Sequence, residues 1–373
     1  MTYKLFFELI QVAICRRDSL SLVPSTAEWS MLYGLSVKQA VAGVCFCGVQ
    51  RLPKEQLVEM PVQLKMKWFA LAESVKQRNE LINRRCVELQ QMLEKEGMES
   101  RILKGQGVAR LYDFNDNDNG NLNDKLGAYR QSGDIDIYVP CGMDKALRWC
   151  RKKYGEVEFD YINAHVPMFK DVEVELHWRV QSMTNLFRNR RLQRWLEREE
   201  TKEMILRGRT TLPNGGEITV PLIEFNAFYL MLHCYNHVFS SGLGLRQLMD
   251  YYFLLMARKN LNLDLNIDEL FRKFGMERFV GAVMWIMQEV FGLEHECMLC
   301  EPDEKEGRYI LAEVMAGGNF GHHDERIKKA GKGKWQSVFA TLQHAMHVLR
   351  RYPSEALWMP VWMVYHFIWK RTL

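Results

Sequence analysis

The sequence predicts an α+β protein in which a small mixed β-sheet is flanked by N-terminal and C-terminal helical regions. Two observations predict this class. Between residues 99 and 180, apolar and polar residues alternate in several short stretches, as they do in strands. Before and after that segment, apolar residues recur at three-to-four-residue spacing, which is typical of amphipathic helices. We therefore predict a helical region over 1–98, an α/β core over 99–180 and a mostly helical domain over 181–373.

The composition is that of an ordinary globular protein with a sizeable core. The chain has 373 residues, of which 47% are hydrophobic and 26% charged, and its net charge is +4. This charge is too small to demand nucleic acid, and we expect no stable nucleic-acid partner. The nine cysteines are scattered and odd in number, which suits a reducing compartment. Neither a signal peptide nor a membrane-spanning stretch is recognised, so the sequence predicts a cytoplasmic protein.

Three helices are predicted in the N-terminal region from the spacing of apolar residues. They cover Leu5–Ile14, Trp29–Cys47 and Trp68–Leu93. Gly97 follows the third helix and is the type of residue that ends one. This region indicates helical packing and names no chemistry.

A short strand is predicted where Arg101–Gly107 runs into a glycine turn, with a helix beginning over Val108–Tyr112. A strand that ends in glycine and opens a helix presents backbone N–H groups to an anion. Gly105 lets the backbone approach a phosphate closely, and Lys104 adds a positive charge. Because such turns are common in α/β units, this pattern alone is a weak signal of a phosphate site.

The most informative stretch is Ser132–Val139, in which Asp134 and Asp136 alternate with aliphatic residues. On a strand, this spacing directs both carboxylates to the same face. Two adjacent carboxylates repel each other unless a cation lies between them, and Mg²⁺ held by carboxylates and substrate phosphates is the natural occupant. A bare Asp-x-Asp also occurs on half-exposed edge strands, so the surroundings decide. Arg130 precedes this strand closely enough to reach the same face.

A second charged strand is predicted over Val172–Trp178. Strict alternation places Glu173, Glu175 and His177 on one of its faces. Glutamates are costly to bury without partners, so this face is either exposed to solvent or part of a charged site. If the strand pairs beside the one that carries Asp134, a third carboxylate joins the first two.

Three other patterns each lack a completing residue. Asp113–Gly127 alternates Asn and Asp like a calcium loop but has no closing glutamate at EF-hand spacing, so we interpret it as a mobile surface loop. His233 and His237 have the i, i+4 spacing that suits zinc, yet no third ligand is evident, and packing on a helix is favoured. Cys297 and Cys300 form a single CxxC without a second pair.

The C-terminal region is predicted to be helical, with one strongly apolar helix over Pro221–Phe239. Arg246 and Asp250, at i and i+4, are interpreted as an ion pair or as a pair of site residues. An aromatic stripe near the C-terminus could touch a membrane surface or a partner, although core packing is the favoured interpretation. Its members are Trp358, Trp362, Tyr365 and Trp369.

Together, these motifs resemble the uncharacterised nucleotidyltransferase family of bacteria, a branch of the polymerase-β-like nucleotidyltransferase superfamily. The resemblance covers most of the chain. The residues that carry it are, in order, Leu103–Gly105, Arg130 with Gly133–Val139, Glu175–Trp178, and in the helical domain His237 and Leu245–Asp250. The set in this order is fairly specific, whereas each motif alone is not.

The resemblance implies transfer of a nucleoside monophosphate from a triphosphate such as ATP to a hydroxyl of a small molecule or protein, with release of pyrophosphate. Asp134 and Asp136 would hold two Mg²⁺ ions, and Glu175 would complete one metal site and help deprotonate the acceptor. Glu173 is the alternative third carboxylate, but Glu175 directly precedes the Leu-His-Trp of the motif and is preferred. The implied nucleotide-binding residues are Lys104, Gly105, Gln106 and Arg130.

One position departs from the family pattern, since Gln106 stands where the superfamily usually has serine or a second glycine. This puts the phosphate contact of that position in question. A non-catalytic relative that binds nucleotide or scaffolds a partner on the same fold is the alternative hypothesis. Three converging carboxylates favour the enzyme, because a binding module gains little from like charges held together.

Overall fold

The computed structural model describes residues 3–113, 126–213, 216–240, 242–261, 263, 267–319 and 349–372. Within them it is an α+β protein, as predicted, with fourteen α-helices, a five-stranded mixed sheet and a two-stranded sheet. The chain forms two units that alternate along the sequence. The first comprises Met1–Leu81, Ala109–Ser132 and Gly242–Asp324, and the second comprises Ile82–Val108, Gly133–Ser241 and Glu325–Leu373. Residues 114–125, the centre of the Asn/Asp-rich loop, lie outside the described residues.

The first unit is helical. The close approach of its first and third helices depends on Gly48, because a Cβ there would lie 2.7 Å from the carbonyl oxygen of Leu9. Its helices are α1 (Lys4–Ala13), α2 (Thr26–Lys38), α3 (Ala42–Arg51), the first part of α4 (Val62–Lys95), α10 (Leu245–Asn260), α11 (Asp268–Phe274), α12 (Glu277–Phe291) and α13 (Glu304–Gly317).

The single helix predicted over Trp29–Cys47 is wrong, because α2 ends at Lys38 and α3 begins at Ala42. Ala40 breaks the helix with a positive φ of 55°. Beside it, the buried Gln39 side chain donates to the carbonyl oxygen of Val314 (3.0 Å) and accepts from the backbone N–H of Leu245 (3.0 Å). These contacts with distant segments favour the break, while the nearest glycines, Gly34 and Gly43, lie inside α2 and α3.

The end of α1 offers a stabilising substitution at Cys15, an exposed residue with a φ of 60°. Its N–H bonds to the carbonyl of Val12, and the N–H of Arg16 bonds to that of Gln11, which is the pattern of a Schellman motif. Glycine adopts this conformation without steric cost, so Cys15→Gly should raise the free energy of unfolding by about 0.5–1 kcal/mol. Urea denaturation measures this change.

The matched control for that substitution is Gly292→Ala, which introduces a Cβ at the end of α12, where φ is 66°. The site has room for the methyl group, since its nearest neighbour is the Cβ of Arg16 at 3.8 Å. The control should therefore destabilise the protein by about 1 kcal/mol through backbone strain alone. Equal effects of the two substitutions would contradict this account of the helix end.

The second unit is built on the five-stranded sheet, with strand order β1-β2-β5-β4-β3. The central pair, β2 and β5, is parallel, and all other neighbours are antiparallel. Aliphatic residues of β2 and β5 are almost fully buried, as the alternation in the sequence predicts. The strands are β1 (Arg101–Ile102), β2 (Ile135–Tyr138), β3 (Glu158–Phe159), β4 (Asn163–Val166) and β5 (Val174–His177), and β6 (Gly208–Thr211) with β7 (Glu217–Val220) form the two-stranded sheet.

Helices complete the second unit. Near the C-terminus, Trp362 and Trp369 pack against Tyr161, with ring centroids 5.1 and 5.2 Å apart, and both indoles are half-buried. Among the described helices, none is both long enough and apolar enough to cross a membrane. Besides the end of α4, the helices are α5 (Gln106–Ala109), α6 (Met143–Tyr154), α7 (Leu186–Leu196), α8 (Glu199–Leu206), α9 (Ile223–Phe239) and α14 (Pro353–Arg371).

Candidate active site

Asp136 lies at the centre of the sheet, on β2, with only 2% of its side chain exposed. Burying a carboxylate is costly unless charged or hydrogen-bonding partners surround it. Here the Lys104 ammonium and the His177 Nε2 each lie 3.0 Å from Asp136 Oδ1. The neighbouring β1 segment also fixes the strand, since the N–H of Leu103 donates to the carbonyl of Asp136 (3.0 Å). The second unit therefore holds a buried cluster of charged and polar groups around this one carboxylate.

Glu175 lies directly opposite Asp136 in the parallel register of β2 and β5. Its Oε2 accepts a hydrogen bond from Asn163 Nδ2 (2.6 Å) and lies 3.4 Å from His177 Nε2. Burial raises the pKa of the Glu175 carboxyl, but the hydrogen bond to His177 and the charge of Lys104 outweigh it and lower the pKa overall. Glu173, the alternative third carboxylate, precedes the strand and is exposed. The parallel pairing thus brings Glu175 beside Asp136.

Asp134 immediately precedes β2 and is half-buried. Its carboxylate acts on the same groups, because its charge raises the pKa of both Lys104 and Glu175. For Lys104, burial lowers the pKa, and the charges of Asp136, Asp134 and Glu175 more than compensate, so the pKa is raised. Three carboxylates thus face one ammonium, and the cluster retains negative charge that a bound cation would balance.

The glycine turn after β1 has the predicted backbone but a shorter helix. Gly105 has a φ of 59°, and α5 is a single turn that ends at Ala109. The helix predicted over Val108–Tyr112 is therefore wrong, since 3-10 geometry follows over Arg110–Asp113. Within the turn, the N–H of Gly107 bonds to the carbonyl of Lys104 (3.0 Å). A helix of one turn has little dipole, so any anion bound here would depend on Lys104 and the turn.

Gln106 has a buried side chain that faces the protein interior. Its Nε2 donates to Asn83 Oδ1 over 2.6 Å. The amide thus has a packing partner on α4, and a contact of this residue with phosphate would come from its backbone. This buried hydrogen bond accommodates a side chain larger than the serine or glycine that the resemblance implied at this position.

Arg130, predicted to bind nucleotide, belongs to the first unit and forms a buried two-point ion pair with Asp250. The Nε and Nη2 atoms of Arg130 donate to the two carboxylate oxygens over 2.6 and 2.7 Å. Tyr112 donates to the same carboxylate (2.7 Å), and Arg130 Nη1 donates to Ser132 Oγ (2.8 Å). Asp250 is therefore the partner of Arg130, while Arg246 donates to the carbonyl of Gln131 (2.8 Å). The assignment of Arg130 to the nucleotide stays a prediction.

The donor set of the second unit fits a divalent cation. Oxygen atoms of Asp136 and Glu175 and a nitrogen of His177 all lie within 4.8 Å of one another. Two carboxylates and an imidazole are ligands that divalent metals accept in proteins. By contrast, His233 and His237, whose Nε2 atoms are 3.0 Å apart, gain no third His, Cys, Asp or Glu close enough for a metal site within the described part of the chain.

Two residues of this cluster were not assigned a role by the sequence reasoning. His177 was recognised only as part of a strand face and of a motif, although it lies between Asp136 and Glu175. Tyr229 on α9 is also buried, and its pKa is raised by burial and influenced by the charges of Lys104 and Asp136. The signal for His177 in the sequence is the alternation over Val172–Trp178, which places His177 on the same strand face as Glu175.

A mixed sheet that gathers three carboxylates beside a lysine and a glycine turn defines a protein suited to phosphate chemistry with a divalent cation. The family model of the uncharacterised nucleotidyltransferases matches residues 25–292. The chain belongs to that family, as the sequence motifs predicted, and its general role is nucleotidyl transfer. No curated protein and no solved structure matches the chain.

Proposed function

We propose that this protein is an active Mg²⁺-dependent nucleotidyltransferase that moves a nucleoside monophosphate from a nucleoside triphosphate onto a hydroxyl acceptor. The acceptor is a small molecule or a protein. The parallel register that sets Glu175 opposite Asp136 carries the proposal. This pairing, with Asp134 two residues before Asp136, collects three carboxylates from two strands, and a shared cation offsets their mutual repulsion.

In this proposal, Asp134, Asp136 and Glu175 would hold the Mg²⁺ ion, which when bound would polarise the phosphate oxygens and offset the charge that develops in the transition state. Lys104 and the backbone of Gly105 and Gln106 bind the phosphates of the nucleotide. The acceptor oxygen attacks the α-phosphorus in line, the bond to the β-phosphate oxygen breaks, and pyrophosphate leaves with its electron pair.

The proton of the acceptor hydroxyl has to be removed as the new bond forms. We assign to Glu175 the role of accepting a hydrogen bond from that hydroxyl and helping to take its proton. Its lowered pKa keeps it ionised near neutral pH, so it is available both as a metal ligand and as a hydrogen-bond acceptor. The hydrogen bond from Asn163 orients the carboxylate for this task.

Calorimetric titration with ATP, CTP, GTP and UTP, each with Mg²⁺, tests the proposal. We expect at least one nucleotide to bind, the binding to need the metal, and Asp134→Ala to abolish the metal-dependent part. Glu173→Gln, which changes an exposed carboxylate immediately before β5, should leave the titration unchanged. If no nucleotide binds, and Asp134→Ala alters no ligand response, the enzyme hypothesis fails and a scaffold role takes its place.

A further inference from the structure

We propose that His177 is itself a metal ligand, so that this site prefers first-row transition ions such as Mn²⁺ to Mg²⁺. The inference rests on the proposed function, in which Mg²⁺ supports the transfer, and adds an order of affinity among the divalent ions that the site accepts. It concerns one histidine on β5 and the two carboxylates beside it, Asp136 and Glu175. The preference would follow from the imidazole, a ligand type that Mg²⁺ rarely takes.

The geometry around the ring supports this role. His177 Nε2 lies 3.0 Å from Asp136 Oδ1 and 3.4 Å from Glu175 Oε2, and only 4% of the side chain is exposed. The other ring nitrogen, Nδ1, is buried and has no hydrogen-bond partner in the part of the chain that the structure describes. The two carboxylates that contact this imidazole thus both lie on its Nε2 side.

A neutral imidazole cannot satisfy both carboxylates. It carries a single N–H, which donates to one acceptor, and the second carboxylate is left beside it without that bond. A divalent cation among the three side chains would instead coordinate an oxygen of Asp136, an oxygen of Glu175 and Nε2 of His177. In a buried site, coordination of one cation by these three side chains replaces the water that each carboxylate lost on folding.

The identity of the ligands then determines which metals bind best. Carboxylate oxygens bind Mg²⁺ and Mn²⁺ alike, whereas imidazole nitrogen favours transition ions, and affinity generally rises from Mn²⁺ through the first row. Mn²⁺ therefore tests the preference most stringently, because among these transition ions it has the smallest expected gain in affinity over Mg²⁺. It also accepts the octahedral, oxygen-rich coordination that a nucleotide's phosphates complete.

His165 is the competing imidazole. Its Nδ1 lies 3.9 Å from Glu175 Oε1, on the neighbouring strand β4, and 54% of its side chain is exposed. The longer distance and the exposure make it a poorer ligand than His177. Because both residues are histidines near the same glutamate, His165→Gln is the matched control for His177→Gln.

Pulsed electron paramagnetic resonance of the full chain loaded with Mn²⁺ tests the proposal without relying on activity. Coordination by imidazole gives a ¹⁴N modulation of the Mn²⁺ echo, which we expect in the wild type and in His165→Gln and not in His177→Gln. Calorimetry should show tighter binding of Mn²⁺ than of Mg²⁺, and His177→Gln should weaken Mn²⁺ binding by about tenfold to a hundredfold. Should His177→Gln fail to fold, the His165→Gln variant labelled with ¹⁵N-histidine takes its place: loss of the ¹⁴N signal there assigns the nitrogen to a histidine other than His165.

The outcomes separate this inference from the proposed function. Mn²⁺ bound without nitrogen modulation, or with a modulation that only His165→Gln removes, would overturn the role of His177 and leave nucleotidyl transfer intact. Equal affinity for Mn²⁺ and Mg²⁺ would overturn the selectivity. Failure of both ions to bind, with and without nucleotide, would overturn the proposed function and this inference with it.

Discussion

The Asp136→Asn variant should transfer nucleotide at least about a hundredfold more slowly than the wild type. Asparagine keeps the size of the side chain but removes the charge that the proposed metal requires. Losing a metal's stabilisation of the transition state costs several kcal/mol, and each 1.36 kcal/mol corresponds to about a tenfold change in rate. The measurement is pyrophosphate release at saturating nucleotide, once the titrations identify the nucleotide and an acceptor is found.

Two controls sharpen the kinetic result. Glu173→Gln should transfer at the wild-type rate, because Glu173 is exposed and lies outside β5. Glu175→Gln should lose activity to a similar degree as Asp136→Asn, since the two carboxylates share one register position. Retention of activity in Asp136→Asn, with circular dichroism unchanged, would show that this carboxylate does not serve the reaction.

The second large effect concerns stability. Replacing Asp250 by alanine should lower the free energy of unfolding by about 3–5 kcal/mol, because it leaves the guanidinium of Arg130 buried without its counter-charge. Only 5% of the Arg130 side chain and 6% of the Asp250 side chain are exposed. Tyr112, which donates to the same carboxylate, loses its acceptor as well. Urea denaturation followed by circular dichroism measures the change.

The exposed ion pair of Arg209 and Glu217 is the matched control for that experiment. Its atoms are 2.8 Å apart, but the two side chains are 68% and 57% exposed. Glu217→Ala should therefore change the free energy of unfolding by no more than about 1 kcal/mol. If Asp250→Ala lowers the free energy of unfolding by no more than Glu217→Ala does, the buried ion pair does not stabilise the first unit in the way its geometry indicates.

The sequence predicted those features that depend on local periodicity. The alternation around Asp136 and Glu175 correctly indicated two strands, and it left open whether the strands pair, which their parallel register answers. The two-residue period of a strand is a strong local signal, because moving the strand by one residue exchanges the side chains on its two faces. The fold class was accessible for the same reason, whereas the family was accessible through the resemblance of the sequence motifs between Leu103 and Asp250.

The remaining features depend on contacts between distant residues, which no local pattern records. Arg246 and Asp250 were predicted to be an ion pair or a pair of site residues on one helix, and nothing in the sequence indicated that Asp250 pairs with Arg130, which is far away in the chain. The helix break at Ala40 occurs beside Gln39, whose partners lie near Leu245 and Val314. In each case a tertiary hydrogen bond outweighs a helical preference worth less than about 1 kcal/mol per residue.

The parallel pairing of β2 and β5 makes this site insensitive to some changes of chain length and very sensitive to others. A connection containing α6, β3 and β4 joins the two strands, and a loop can gain or lose residues at small entropic cost. A single residue deleted within β5 would instead slide an aliphatic side chain into the place of Glu175 and turn the carboxylate to the opposite face. Insertions or deletions in the connecting segments should therefore leave Asp136 and Glu175 side by side. A shift of one residue within β5 should instead separate these two carboxylates.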